Sequence, residues 1–169
     1  MTKRIIILSV LITLIMISAC IAENPEGDKR DTKGDTNGDS KGDPIAWFTN
    51  LEKAQEVALE RNIPIFIHFT GSDWCGWCWK LEEEVYSKPI FQEYVSENMV
   101  MVTIDFPKNI KLPADVVTYN RNLATRFNIK GFPTVQLLNP DGSPIAQTGF
   151  QYGGPEKYIE HLKELLIKK

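Results

Sequence analysis

This sequence carries no excess of positive charge. Its 169 residues hold 19 lysines and arginines against 22 aspartates and glutamates, a formal net charge of −3. A basic footprint for nucleic acid is therefore absent, and no nucleic-acid partner is expected. There are only two histidines, His68 and His161, and three cysteines, Cys20, Cys75 and Cys78. A zinc site built on Cys75 and Cys78 would need two further ligands. His161 sits in the helical run Tyr158-Ile159-Glu160-His161 and reads as a solvated helix residue. The chain has no glycine-rich phosphate loop and no nucleotide signature, so no small cofactor is expected. The apolar run Ile5 to Ile17, broken only by Ser9 and Thr13, has 13 residues. A comfortable membrane span takes about 20.

That run has the length of a signal-peptide apolar core, with Lys3 and Arg4 before it as the positive segment. It ends in Ile17-Ser18-Ala19-Cys20, which resembles the bacterial lipoprotein box of an aliphatic residue, two small residues and a cysteine. Residues 1–20 are thus expected to be a lipoprotein signal peptide, with Cys20 as the lipid-bearing residue that holds the protein on a membrane. Ile21 follows it, not an aspartate retention signal. Residues 21–43 repeat Gly-Asp at 27–28, 34–35, 38–39 and 42–43 and lack apolar residues after Ala22. Such a stretch buries too little surface to offset its ordering entropy and reads as a disordered polar tether. Asp35, Asn37 and Asp39 have the spacing of a calcium loop, but Ser40 replaces the turn glycine and Ala46 stands where a bidentate glutamate belongs, so the tether reading prevails.

Residues 44–169 carry the pattern of one folded domain. Residues 45–48 read as a short strand or apolar lead-in. Leu51, Ala54, Val57 and Ala58 recur at helical spacing behind a cap at Thr49 or Asn50, which predicts a helix over 50–61. The runs 65–69 and 99–105 have the length and composition of buried strands. Gly71-Ser72-Asp73 reads as a turn, and a helix is predicted from near Cys75 to Tyr86, a second over Ile90 to Val95 whose Ile90, Phe91, Tyr94 and Val95 have the spacing of core packing, a loop over 106–118, and a helix over 119–127. Asn139-Pro140-Asp141-Gly142 marks the turn of a hairpin between 134–138 and 144–148, and Pro155 opens a last helix to about Ile167. Strands separated by helices imply parallel pairing, and the late hairpin is antiparallel. The expected fold is α/β, a mixed central sheet with helices on both faces.

The chemistry lies in Trp74-Cys75-Gly76-Trp77-Cys78. Cysteines three apart in a helix share one face. Cys75 would sit at the helix N-terminus, where free N–H groups favour a thiolate. Cys78 lies one turn inward. Cys75 is then the attacking sulfur and Cys78 the resolving one. A CxxC at a strand–turn–helix junction is a redox context rather than a zinc one.

The segment Phe69-Thr70-Gly71-Ser72-Asp73-Trp74-Cys75-Gly76-Trp77-Cys78 resembles the active site of the thioredoxin superfamily, in the form found in exported bacterial thioredoxin-like proteins. Gly131-Phe132-Pro133-Thr134 resembles the second landmark of that family. The resemblance implies a cis bond before Pro133, and a client-binding surface made of Trp74, Gly76, Trp77, Phe132, Pro133 and Thr134. It also places His68 where thioredoxin has a buried aspartate, which makes His68 a candidate proton relay to Cys78. Gly76-Trp77 departs from the Gly-Pro of thioredoxin and leaves the direction of electron flow open. Lys80, two residues after Cys78, reads as an exposed side chain.

The expected protein is a monomeric, membrane-tethered, extracytoplasmic thiol–disulfide oxidoreductase, on the periplasmic side where a cell has two membranes. Its partners would be protein thiols and disulfides together with a separate redox protein. Two other readings stand beside it. One is a chaperone-like binding module with the CxxC as a redox-sensitive latch, and the other is metal handling through Cys75, Cys78 and His68.

Overall fold

The computed structural model describes residues 45–167. The expected signal peptide, the lipid site at Cys20 and the tether lie outside the described residues. Among the described residues, no helix is long and apolar enough to cross a membrane.

The chain forms a short strand β1 (Trp47–Phe48), helix α1 (Leu51–Arg61), strand β2 (Ile65–Thr70), helix α2 (Gly76–Leu81), a π-helical turn (Glu82–Tyr86), helix α3 (Pro89–Asn98), strand β3 (Val100–Asp105), helix α4 (Ala114–Arg126), the hairpin β4 (Thr134–Leu138) and β5 (Pro144–Thr148), and helix α5 (Gly154–Ile167). The strands order as β1-β3-β2-β4-β5. β1 and β2 run parallel to β3, β4 runs antiparallel to β2, and β5 antiparallel to β4. This is the expected mixed α/β sheet with β2 at its centre.

Every residue of β2 is buried. Alternate side chains therefore point into two cores. Ile65, Ile67 and Phe69 meet Leu51, Ala54 and Ala58 of α1 and Leu123 of α4. On the opposite face, Phe66 meets Leu81, Val85, Tyr86, Phe91, Val95, Tyr158 and Leu162. Helices α1 and α4 thus cover one face of the sheet. Helices α2, α3 and α5, with the π turn, cover the other. Asn50 caps α1, its Oδ1 accepting from the Lys53 N–H at 2.8 Å.

Four local expectations are corrected. Helix α4 begins at Ala114, inside the stretch read as a loop. The β-branched Val116, Val117 and Thr118 weaken the helical signal in sequence. Pro113 sits at the cap position and Asp115 in the first turn, and Tyr119 anchors the helix by donating to Glu52 at 2.7 Å and accepting from the Leu51 N–H at 2.7 Å. The helix expected from Cys75 to Tyr86 changes character at Glu82, where Ser87 N–H donates to the Glu82 carbonyl at 2.9 Å, five residues back. This widened turn lets the consecutive Val85 and Tyr86 both enter the core. Ile90, grouped with the core by its spacing, is 44% exposed. His161 is half-buried with its Nε2 at 2.8 Å from Thr148 Oγ1, because α5 lies along β5.

Phe91 is fully buried, stacked on Tyr86 with ring centroids 5.1 Å apart. Phe91→Ala is expected to lower the unfolding free energy by about 3–5 kcal/mol in urea denaturation. A loss below about 1 kcal/mol would show that this face of the sheet is not the packed core described.

Candidate active site

Cys75 stands where the central strand hands over to helix α2. The turn after β2 is tight, with the N–H groups of Trp74 and Cys75 both donating to the Gly71 carbonyl, at 3.2 and 2.9 Å. Cys75 has an extended backbone, φ −91° and ψ 97°, and is the N-cap of α2. Its sulfur takes the part usually played by a serine or aspartate oxygen, accepting from the Cys78 N–H at 3.2 Å. Cys75 and Cys78 are joined as a disulfide, with Cα atoms 5.2 Å apart. Their exposures are 5% and 3%, so in the oxidised form accessibility barely separates them. What separates them is position, the cap against the first turn.

Three side chains fasten the turn to the end of β3 and the segment after it. Ser72 donates its N–H and hydroxyl to the two oxygens of Asp105, at 2.9 and 2.6 Å. The Asp73 carboxylate accepts from the backbone N–H groups of Lys108, Asn109 and Ile110 at 2.9, 2.6 and 3.2 Å. These bonds, led by that of Lys108, hold its pKa below the usual carboxylate value. Trp74 donates its indole N–H to the Phe106 carbonyl at 2.7 Å. Gly71 is needed here, because a Cβ at this position would lie 2.4 Å from the Trp74 ring.

The Phe132–Pro133 peptide bond is cis. Phe132 stacks on Phe106 with centroids 5.1 Å apart and meets Trp74 edge-on at 5.8 Å. Thr134 donates its hydroxyl to the Gly131 carbonyl at 2.7 Å. On the other side, a Cβ at Gly149 would lie 3.0 Å from the Pro133 carbonyl oxygen. The next residues, Phe150 and Tyr152, pack on Trp77 at 5.4 and 6.5 Å. The cis-proline segment is therefore bounded by two aromatic groups, one holding Trp74 and one holding Trp77. Gly76 has open space around its α-carbon, and Trp77 is 52% exposed.

His68 is buried on the β2 face that carries Phe66, between Tyr86 and Trp47 at centroid distances of 5.1 and 6.2 Å. Among the described residues its Nε2 has no hydrogen-bond partner. Burial pushes the His68 pKa down to about 4, so the imidazole is neutral at neutral pH. Among the described residues, no group of three histidine, cysteine, aspartate or glutamate side chains is arranged to hold a metal ion.

With this geometry, the comparison with known proteins is direct. Residues 51–166 match the thioredoxin-like domain family. The chain belongs to that family. It is 31% identical over 122 residues to the disulfide bond reductase DsbH of Chlamydia pneumoniae, covering 72% of this chain and 73% of DsbH. It is 29% identical over 107 residues to the thioredoxin-related protein DsbJ of the same organism, covering 63% of this chain but only 31% of DsbJ. A solved structure of a DsbH oxidoreductase matches with a TM-score of 0.70 and 27% identity, over 81% of this chain and 96% of that one. As a thioredoxin-like protein with a CxxC disulfide, the chain is a thiol–disulfide oxidoreductase.

Within this thioredoxin-like frame, the fastening of the turn by Asp105, Phe106 and Lys108 is a feature that local sequence pattern does not show, and Gly71-Ser72-Asp73 is more than a plain turn. The available signal was Ser72 and Asp73 placed just before a helix start. Their partners lie more than 30 residues away, at a spacing no local pattern reveals. Phe150 and Tyr152 were missed for the same reason.

The depressed pKa of His68 has a thermodynamic consequence. The unfolded chain binds a proton near pH 6.5, whereas the folded chain resists it down to about pH 4. Stability supplied by neutral His68 is thus present above pH 6.5 and lost as the pH falls towards 4, by up to about 3 kcal/mol. Urea denaturation of the oxidised protein at several pH values should show the loss, and His68→Leu should reduce it by that amount. Identical pH profiles for the two proteins would refute the burial of a neutral imidazole.

Proposed function

We propose that the protein is a membrane-tethered, extracytoplasmic oxidoreductase that reduces disulfides of client proteins. The observation that carries the reading is the Cys75–Cys78 disulfide with Cys75 as the N-cap of α2. The reducing direction draws on the likeness to a disulfide bond reductase. The tether draws on the lipoprotein-like box at Cys20 and the polar stretch 21–43.

In the reduced protein the N–H groups at the start of α2 favour a thiolate on Cys75. That thiolate attacks one sulfur of a client disulfide. The client's other sulfur leaves as a thiolate and takes a proton from solvent. Cys78 then loses its proton and attacks Cys75, closing the Cys75–Cys78 bond and expelling the second client sulfur. Two electrons pass to the client, and a dithiol of a separate redox protein restores the pair.

His68 is proposed as the acceptor of the Cys78 proton. A thiolate and an imidazolium formed together inside the core are neutral overall, which offsets the penalty that keeps His68 uncharged when alone. Trp74, Gly76, Trp77, Phe132, Pro133 and Thr134 are proposed to contact the client chain. Their arrangement around the cis-proline segment supports this.

Cys75→Ser is expected to abolish reduction of a disulfide substrate, a loss of at least 1,000-fold by order of magnitude. Cys78→Ser should still attack but fail to resolve, and so accumulate a mixed disulfide visible by mass spectrometry. Residual turnover in Cys75→Ser, or a mixed disulfide formed through Cys78 instead, would overturn the mechanism. Membrane fractionation of the full chain and of Cys20→Ala tests the tether separately, with loss of membrane association expected for the variant.

A further inference from the structure

Each tryptophan of the CxxC motif carries a lysine. The Lys108 ammonium lies 3.8 Å from the centroid of the Trp74 ring. The Lys80 ammonium lies 5.3 Å from each of three ring centroids, those of Trp77, Phe150 and Tyr152. Lysines this close to aromatic faces are held by the ring quadrupole. The two cations therefore sit one on each of the tryptophans that bracket the attacking cysteine in sequence, in a chain whose net charge is −3.

Neighbouring carboxylates leave part of this charge available. Lys80 is 3.7 Å from Glu84, but its side chain remains 38% exposed. Lys108 has no ion pair with a described carboxylate. Asp73, the acidic residue beside it, turns its oxygens to the backbone N–H groups of residues 108–110. An ammonium seated on a ring keeps its outward N–H donors free for an anion. Seating also removes side-chain freedom that an ion pair would otherwise have to freeze. Between and beside the cations stand exposed apolar surfaces, Trp77 at 52% and Tyr152 at 73%.

We propose that this rim selects client chains whose reactive cysteine is flanked by acidic residues. Client carboxylates pair with Lys108 on the Trp74 side and Lys80 on the Trp77 side, while the client backbone and apolar groups rest on the two tryptophans. The proposal rests on the oxidoreductase reading and adds the class of client to it.

The test uses the reduced full chain and three disulfide peptides that differ only in the residues flanking their cysteines, acidic, uncharged or basic. Second-order reduction rates are read by stopped-flow tryptophan fluorescence. At low ionic strength the acidic peptide should react about 10-fold faster than the basic one, and added salt should compress the ratio. Lys80→Gln and Lys108→Gln should each lower the ratio about 2-fold to 4-fold. A uniform slowing of all three peptides reports on the Cys75 thiolate instead. If the ratio is then unmoved, the proposal is overturned. A wild-type ratio of one or below also overturns it, while reduction of the uncharged peptide keeps the oxidoreductase reading intact. Failure to reduce any of the three peptides would overturn both.

Discussion

The hydrogen bond from the Cys78 N–H to the Cys75 sulfur, 3.2 Å long, sets the character of the whole site. It makes a sulfur the cap of α2, where the unpaired N–H groups of the first turn gather and favour negative charge. A sulfur can hold that place only if the preceding turn brings Cys75 in with an extended backbone. The turn does so because Gly71 accepts from two successive amides, and because Ser72, Asp73 and Trp74 are tied to the last residue of β3 and the segment after it. Cys75 is thus positioned by the end of β3 and the segment that follows it, more than 25 residues away in sequence, through the side chains of its neighbours.

The rest of the fold supplies a rigid base for that cap. β2 is buried along its length, between α1 and α4 on one face and the remaining helices on the other. Its partner β4 begins directly after the cis-proline segment, so the strand pairing that fixes Cys75 also fixes Pro133. The two aromatic groups at Trp74 and Trp77 then line the site on either side. Beneath them, His68 and Tyr86 are buried in the core, their rings 5.1 Å apart.

Much of this was legible in the sequence, for identifiable reasons. Periodicity pointed to α1, an apolar run of strand length to β2, and the turn residues Asn139–Gly142 to the hairpin, because these elements are specified by near neighbours. The CxxC spacing and the Gly-Phe-Pro-Thr segment pointed to the reactive pair and its neighbour. Elements decided by distant contacts were not legible. Helix α4 starts early because Tyr119 is tied to α1, against the weak propensity of Val116 and Val117. The π turn exists because both Val85 and Tyr86 fit the core. Lys80 read as an ordinary exposed lysine, since nothing local shows that three rings converge on it from separate segments.

We propose that capping α2 makes Cys75, rather than the almost equally buried Cys78, the attacking sulfur. The most direct measurement is a brief iodoacetamide pulse on the reduced full chain at neutral pH, with the modified cysteines located by peptide mass spectrometry. Cys75 is expected to be alkylated at least about 10-fold faster than Cys78, the effect of a thiol pKa lowered by about a unit or more. Equal labelling of the two, or faster labelling of Cys78, would contradict it.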